Sequence, residues 1–243
     1  ITANPSLRKT FALNALVATD NAAWILYKRE NNIKTFDDMI PVAYRPALSH
    51  KHRNVAGIPL MAYPIPINEI KEAVDQGYFF MKIKIGQPGT QDEMVQKDKE
   101  RLSAIHKAIG NIRTTYSKDG KLPYYFDANG RYESKDALLK LLDHAKAIGA
   151  FDQIAIIEEP FPEEIEVDVR DIPVRLASDE SAHTAEDAIK RIEMGYGAIA
   201  LKAIAKTLSM TLKIAQAAYE RKVPCFCADL TVNPILIEWN KNV

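Results

Sequence analysis

The sequence predicts an α/β protein built as a TIM-like (β/α) barrel, and three observations carry that reading. Short runs rich in Ile, Val, Tyr and Phe alternate with longer helical stretches from about residue 58 onward, seven times over. The runs are apolar on both faces except at their C-terminal ends, the pattern of parallel strands covered by helices. Five charged residues stand at the ends of five such runs: Lys84, Asp127, Glu158, Asp179 and Lys202. The gaps between them are 43, 31, 21 and 23 residues, each enough for one helix and one strand. A length of 243 residues is close to what such a barrel needs. An open doubly wound sheet would want a Gly-rich phosphate loop after its first strand, where this chain reads YPIPINE.

Residues 1–57 differ from the rest, and 1–45 are assigned to the helical part of an N-terminal capping domain. FALNALVATDNAAWILYKREN is one long helix, with Ala12, Ala15, Thr19, Ala22, Ala23 and Leu26 offering a face of mostly small residues that docks outside the barrel. The stretch 41–57, with two prolines and His50-Lys51-His52, reads as a loop. The barrel domain is assigned to 46–243. Its strands are expected at 58–65, 79–86, 123–130, 153–160, 174–181, 198–204 and 223–230. Helices are expected over 68–76, 91–109, 135–148, 185–193 and 208–220, with a short acidic turn or helix after the fourth strand and a last helix from Pro234. Ala137, Leu138, Leu141, Leu142, Ala145 and Ile148 form one stripe, with Ser134 as N-cap and Gly149 as stop. Thr184 with Asp187 three residues on reads as a capping box.

Bulk properties narrow the function. Lys plus Arg number 32 and Asp plus Glu number 32, so no nucleic-acid or anionic-membrane partner is expected. No apolar run approaches the roughly 18 residues of a membrane span. The chain begins ITANPSLRKT, without a signal-like apolar segment, and is expected to be a processed or incomplete chain. The two cysteines, Cys225 and Cys227, read as small apolar fillers in a buried strand, and low cysteine use points to the cytoplasm.

Active sites of such barrels lie at the C-terminal ends of the strands. Residues two apart on a strand share a face, so Lys82 points with Lys84, Asp127 with Asn129, and Asp179 with Ser181. Only one of Glu158 and Glu159 can face inward. Three carboxylates converging from neighbouring strands need a cation to stay charged, and oxygen-only ligation favours Mg²⁺. Such a cation can stabilise the dianion formed when a proton leaves the carbon next to a substrate carboxylate. A lysine serves as base once its pKa falls, and Lys82 beside Lys84 is a device for lowering it. The histidines are weaker signals: His106 and His144 fall on helices as surface residues, His50 and His52 in a loop, His183 just after the Asp179 strand. Asp229 ends the seventh strand, faces with Cys227 and is a candidate substrate contact.

KIK (82–84), DAN (127–129), EEPF (158–161), SDES (178–181) and LK (201–202) in this order resemble the mandelate racemase/muconate lactonizing enzymes of the enolase superfamily, from about Phe11 to Val243. The resemblance implies a (β/α)7β barrel with an α+β capping domain, of which 1–45 would be the last helical part. It implies Mg²⁺, with Mn²⁺ as a substitute, on Asp127, Glu158 and Asp179, Glu158 being chosen over Glu159 by the motif E-x-P. Lys84 and Lys202 would be bases on opposite faces, with Asn129 and Glu180 orienting the metal site and Lys202. The resemblance further implies Lys or His bases with an ene-diolate beside Mg²⁺. The mandelate racemase subgroup places a histidine on strand seven. Here that strand reads PCFCADL and strand six carries Lys202, so the chain resembles the two-lysine muconate lactonizing subgroup. The implied activity is racemisation or epimerisation of a dipeptide or N-acylamino acid, with sugar-acid dehydration or cycloisomerisation as the alternative. A homo-oligomer and a small carboxylate substrate are expected. Most of the capping domain and the eighth strand fall outside the match, so the chain is expected to be a fragment of a longer enzyme or only its ordered part.

Overall fold

The structure, a computed structural model, describes residues 7, 9–228 and 242. The described elements run α1 (Lys9–Glu30), α2 (Phe36–Met39), a 3₁₀ helix (Val42–Leu48), β1 (Leu60–Met61), α3 (Ile67–Asp75), β2 (Met81–Lys84) and α4 (Gln91–Ile109). They continue with β3 (Tyr124–Asp127), α5 (Lys135–Ala147), a 3₁₀ turn (Phe151–Gln153), β4 (Ile154–Glu158) and β5 (Leu176–Ser178). The last are α6 (Ala185–Glu193), β6 (Ala198–Leu201), α7 (Ala203–Lys206), α8 (Leu208–Glu220) and β7 (Cys225–Cys227). All seven strands and the five longer helices of the sequence reading are present. The helix expected from Pro234 and the candidate contact Asp229 lie outside the described residues. The chain divides into two compact units, one running Arg53–Ala177 and the other combining Ile1–His52 with Ser178–Val243.

In the unit from Arg53 to Ala177 the strands pair in parallel, β1 with β2, β2 with β3, β3 with β4 and β4 with β5. The α/β expectation of parallel strands holds here. The register sets Lys84 opposite Asp127, and Asp127 opposite Glu158. Helix α5 buries Ala137, Leu138, Leu141, Leu142 and Ala145, as its stripe requires. Ser134 caps it by accepting from the Ala137 amide, and Gly149 follows its end at φ +76°. Helix α4 carries a capping box that the sequence reading passed over, Thr90 with Glu93. No helix follows β4: residues 161–175 are turns and extended chain.

In the other unit β6 and β7 pair in parallel. Its core gathers Met39, Ile40, Leu48, Ile199, Leu201, Leu208, Leu212 and Ile214. Helix α6 opens with the expected Thr184–Asp187 capping box. Two expectations are corrected here. Residues 42–48 form a 3₁₀ helix and not a loop. Helix α1 buries Val17 and half-buries Leu13, Asp20 and Trp24, while Ala15, Thr19, Ala22, Ala23 and Leu26 are exposed. Polar anchors select that face: Trp24 Nε1 donates to Ser209 Oγ at 3.0 Å, the Ser209 amide donates to Asp20 at 3.1 Å, and Asn14 donates to the Ile204 carbonyl at 3.3 Å. Cys225 and Cys227 are free and half-buried. Burial, reinforced by Cys227, pushes the Cys225 thiol up to about 12, which fits the filler reading. Among the described residues no helix is long and apolar enough to cross a membrane.

Candidate functional site

The end of β3 assembles the larger of two groups of charged side chains. Asp127 is 1% exposed and Glu158 is fully buried, a placement that carboxylates tolerate only when paired. The pairing comes from β2. Lys82 Nζ lies 2.8 Å from Asp127 Oδ2 and 2.6 Å from Glu158 Oε2, so one ammonium bridges both. Lys84 Nζ lies 2.6 Å from Asp127 Oδ2 and also donates to Asn129 Oδ1. Parity explains the set: Lys82 and Lys84 share a face of β2, and the register brings that face level with Asp127 and Glu158.

A turn directly after β3 shapes the acceptor side. Asn129 and Gly130 both take positive φ, +45° and +70°. That conformation lets the Asn129 amide donate back to Asp127 Oδ1 at 3.0 Å while its side chain meets Lys84. The Gly130 amide donates to the Glu159 carbonyl at 2.6 Å, and a Cβ on Gly130 would stand 3.1 Å from the Phe161 carbonyl. Glu159 is buried at φ +39°, and its amide donates to the Ala177 carbonyl.

The second group belongs to the other unit. Asp179, 1% exposed, follows β5, and Lys202 follows β6. Lys202 Nζ pairs with Asp179 Oδ2 and lies 4.0 Å from Glu180 Oε1. Lys206, four residues on and 1% exposed, donates to the Asp179 carbonyl and lies 3.3 Å from Asp179 Oδ1. Ser181 is hydrogen-bonded to Ser178 at 2.9 Å. Thr207 then takes φ +73°, a costly conformation for a β-branched residue, and caps α8 through the Met210 amide.

The structure thus brings Lys82, Lys84, Asp127, Asn129 and Glu158 together in one unit, and Asp179, Glu180 and Lys202 together in the other. Tyr125 and Lys206 were passed over by the sequence reading. Tyr125 lies two residues before Asp127 and Lys206 one helical turn after Lys202, spacings that could have flagged both. His106 and His144 lie on α4 and α5 as read from the sequence, half-buried and hydrogen-bonded. His106 Nδ1 is 2.9 Å from the Tyr124 hydroxyl, and His144 Nε2 is 2.7 Å from Ser103 Oγ. His183 is buried and its Nδ1 lies 3.3 Å from Thr10 Oγ1.

Burial lowers the Lys82 pKa, but the charges and hydrogen bonds of Glu158 and Asp127 outweigh it and hold the ammonium well above the usual lysine range. Among the described residues no group of three or more His, Cys, Asp or Glu side chains stands ready to hold a metal ion. The donor chemistry at β3 and β4 nevertheless fits a hard cation. Asp127 and Glu158 offer only oxygen, are level in register, and already share one bridging positive charge.

Comparison with known proteins adds the following. Residues 67–239 match the model of a family described as enolase C-terminal domain-like. No curated protein matches the chain in sequence. Among solved structures, a mandelate racemase/muconate lactonizing protein from Herpetosiphon aurantiacus is 16% identical with a TM-score of 0.64, over 96% of this chain and 68% of that one. An L-Ala-D/L-Glu epimerase is 19% identical with a TM-score of 0.66, over 92% of this chain and 62% of the other. A muconate lactonizing enzyme from Mucobacterium smegmatis is 16% identical with a TM-score of 0.56, over 74% and 48%. The chain therefore spans about half to two thirds of the length of these structures, and the likeness is one of fold.

Proposed function

The chain belongs to the enolase C-terminal domain-like family, and on that premise we propose that it removes the proton next to a substrate carboxylate by way of an enediolate. The observation that carries this is the level set of Lys84, Asp127 and Glu158 on three adjacent strands, two buried carboxylates beside two ammonium groups. Asp127, Glu158 and Asp179 would hold Mg²⁺, or Mn²⁺ in its place, whose charge stabilises the enediolate oxygens. Lys84, as the free amine, would take the α-proton of one stereoisomer and Lys202, as the free amine, that of the other, while the opposite lysine, as the ammonium, returns a proton to the enediolate carbon. Lys82 bridges Asp127 and Glu158 beside Lys84, Asn129 orients Lys84, and Glu180 orients Lys202. Asp229 contacts the substrate.

The finer assignments belong to the same proposal. The chain is a member of the two-lysine muconate lactonizing subgroup, with 46–243 as a (β/α)7β barrel lacking its last strand and 1–45 as the helical end of a capping domain. It acts in the cytoplasm as a homo-oligomer, and its substrate is a dipeptide or N-acylamino acid, racemised or epimerised. Incubation with Mg²⁺ in D₂O against dipeptides, N-acylamino acids and sugar acids tests it. Deuterium gain with no other mass change is expected. Loss of water, or ring formation, would assign a sugar-acid dehydratase or cycloisomerase instead. Lys84→Ala is expected to abolish exchange from one stereoisomer and leave Mn²⁺ binding intact. Undiminished exchange from both stereoisomers would remove Lys84 as a base.

A further inference from the structure

We propose that Tyr125 is a positioning residue for the cation held by Glu158, fixing that carboxylate from the β3 side; this rests on the metal reading given under Proposed function. Tyr125 sits on β3 opposite Lys82 of β2 and opposite Ile156 of β4, two residues short of Glu158. It shares the face of Asp127. Its ring is 3% exposed and is held on two sides, tilted against Phe80 at 5.6 Å between centroids and beneath Lys82 Nζ at 5.4 Å. A ring locked in this way has its rotamer freedom removed before any ligand arrives. The hydroxyl at its tip donates to Glu158 Oε2, the oxygen that also receives Lys82.

One oxygen of Glu158 is thereby engaged by two donors on a rigid frame. Side chains from β2 and β3 thus hold that oxygen of the carboxylate. Hydrogen-bond partners of ligating carboxylates govern cation affinity in this way, and losing one typically costs 10- to 100-fold. Phenylalanine preserves the ring, its volume and both ring contacts while removing only the donor.

Mn²⁺ binding to the whole chain, followed by electron paramagnetic resonance of the free ion, tests the assignment together with metal-free thermal melting. Tyr125→Phe is expected to bind Mn²⁺ about 10- to 100-fold more weakly while melting within a few degrees of the parent chain. Unchanged Mn²⁺ affinity in Tyr125→Phe, with a binding parent, would overturn the inference and leave the metal reading standing. A parent chain that binds no Mn²⁺ would overturn both. Glu158→Gln is the second variant, retaining an acceptor for Tyr125 while losing the ligand charge. It is expected to lose Mn²⁺ binding, and parent-like affinity there would show that Tyr125 acts on no ligand.

Discussion

Lys82 lies between two buried carboxylates, and replacing it with methionine would leave Asp127 and Glu158 with one compensating charge fewer. Breaking a buried ion pair from one side typically costs 3–5 kcal/mol. Lys82→Met is expected to lower stability by about 3 kcal/mol in urea denaturation, and a divalent cation bound to the same carboxylates should restore part of it. A loss that saturating Mg²⁺ and Mn²⁺ leave untouched would count against these carboxylates as ligands. Part of this site is legible in the sequence because parity is: Lys82 with Lys84 follows from residue spacing alone, whereas Asn129 reaches Lys84 through the turn after β3 and not by strand alternation. What opposes them is not legible. The rise in the Lys82 pKa depends on groups 45 and 76 residues away, brought level only by the register. Tyr125 was missed for a similar reason, since a tyrosine in a strand is first read as β-propensity.

Helix α4 does more than cover the sheet. Its fully buried Asp98 accepts from the Gly86 amide at 2.6 Å and the Tyr132 hydroxyl at 2.7 Å, two residues after the strand that carries Lys84 and just beyond the β3 turn. Three residues along, Arg101 donates to the carbonyls of Ala62, Tyr63 and Ile65 after β1. Three strand-to-helix connections are thus tied to one helix. Asp98→Ala would orphan at least two buried donors at roughly 1–3 kcal/mol each, so a loss of about 3 kcal/mol is expected in equilibrium unfolding. A loss under about 1 kcal/mol would show that water replaces the carboxylate. The helices were readable to within a residue or so at either end where caps were written locally, as at Ser134 and Thr184. The face of α1 was not, because apolar and small residues occur all round it and the choice is made by Ser209 and Ile204, far away in the chain. The 3₁₀ helix escaped because its prolines read as loop signals, while Pro41 precedes the helix and Pro46 is accommodated within it.

At the scale of the whole molecule the charges balance, with an isoelectric point near 7.1. Net charge near zero removes the repulsion that keeps protein molecules apart. Solubility of the chain is expected to pass through a minimum near pH 7 at low salt and rise severalfold by pH 9, as ammonium sulfate precipitation would show. A solubility flat from pH 6 to 9 would place its control in apolar surface. The parallel register has a consequence for how such a chain can change over generations. Lys84, Asp127 and Glu158 stand level although whole helices separate them in sequence. A residue gained or lost within a connecting segment is absorbed there. A residue lost between Lys82 and Lys84 turns one ammonium to the opposite side of the sheet. Insertions and deletions are therefore expected to cost little in the long intervals and much inside the short motif KIK, where a change of one residue reverses which side of the sheet a charge faces.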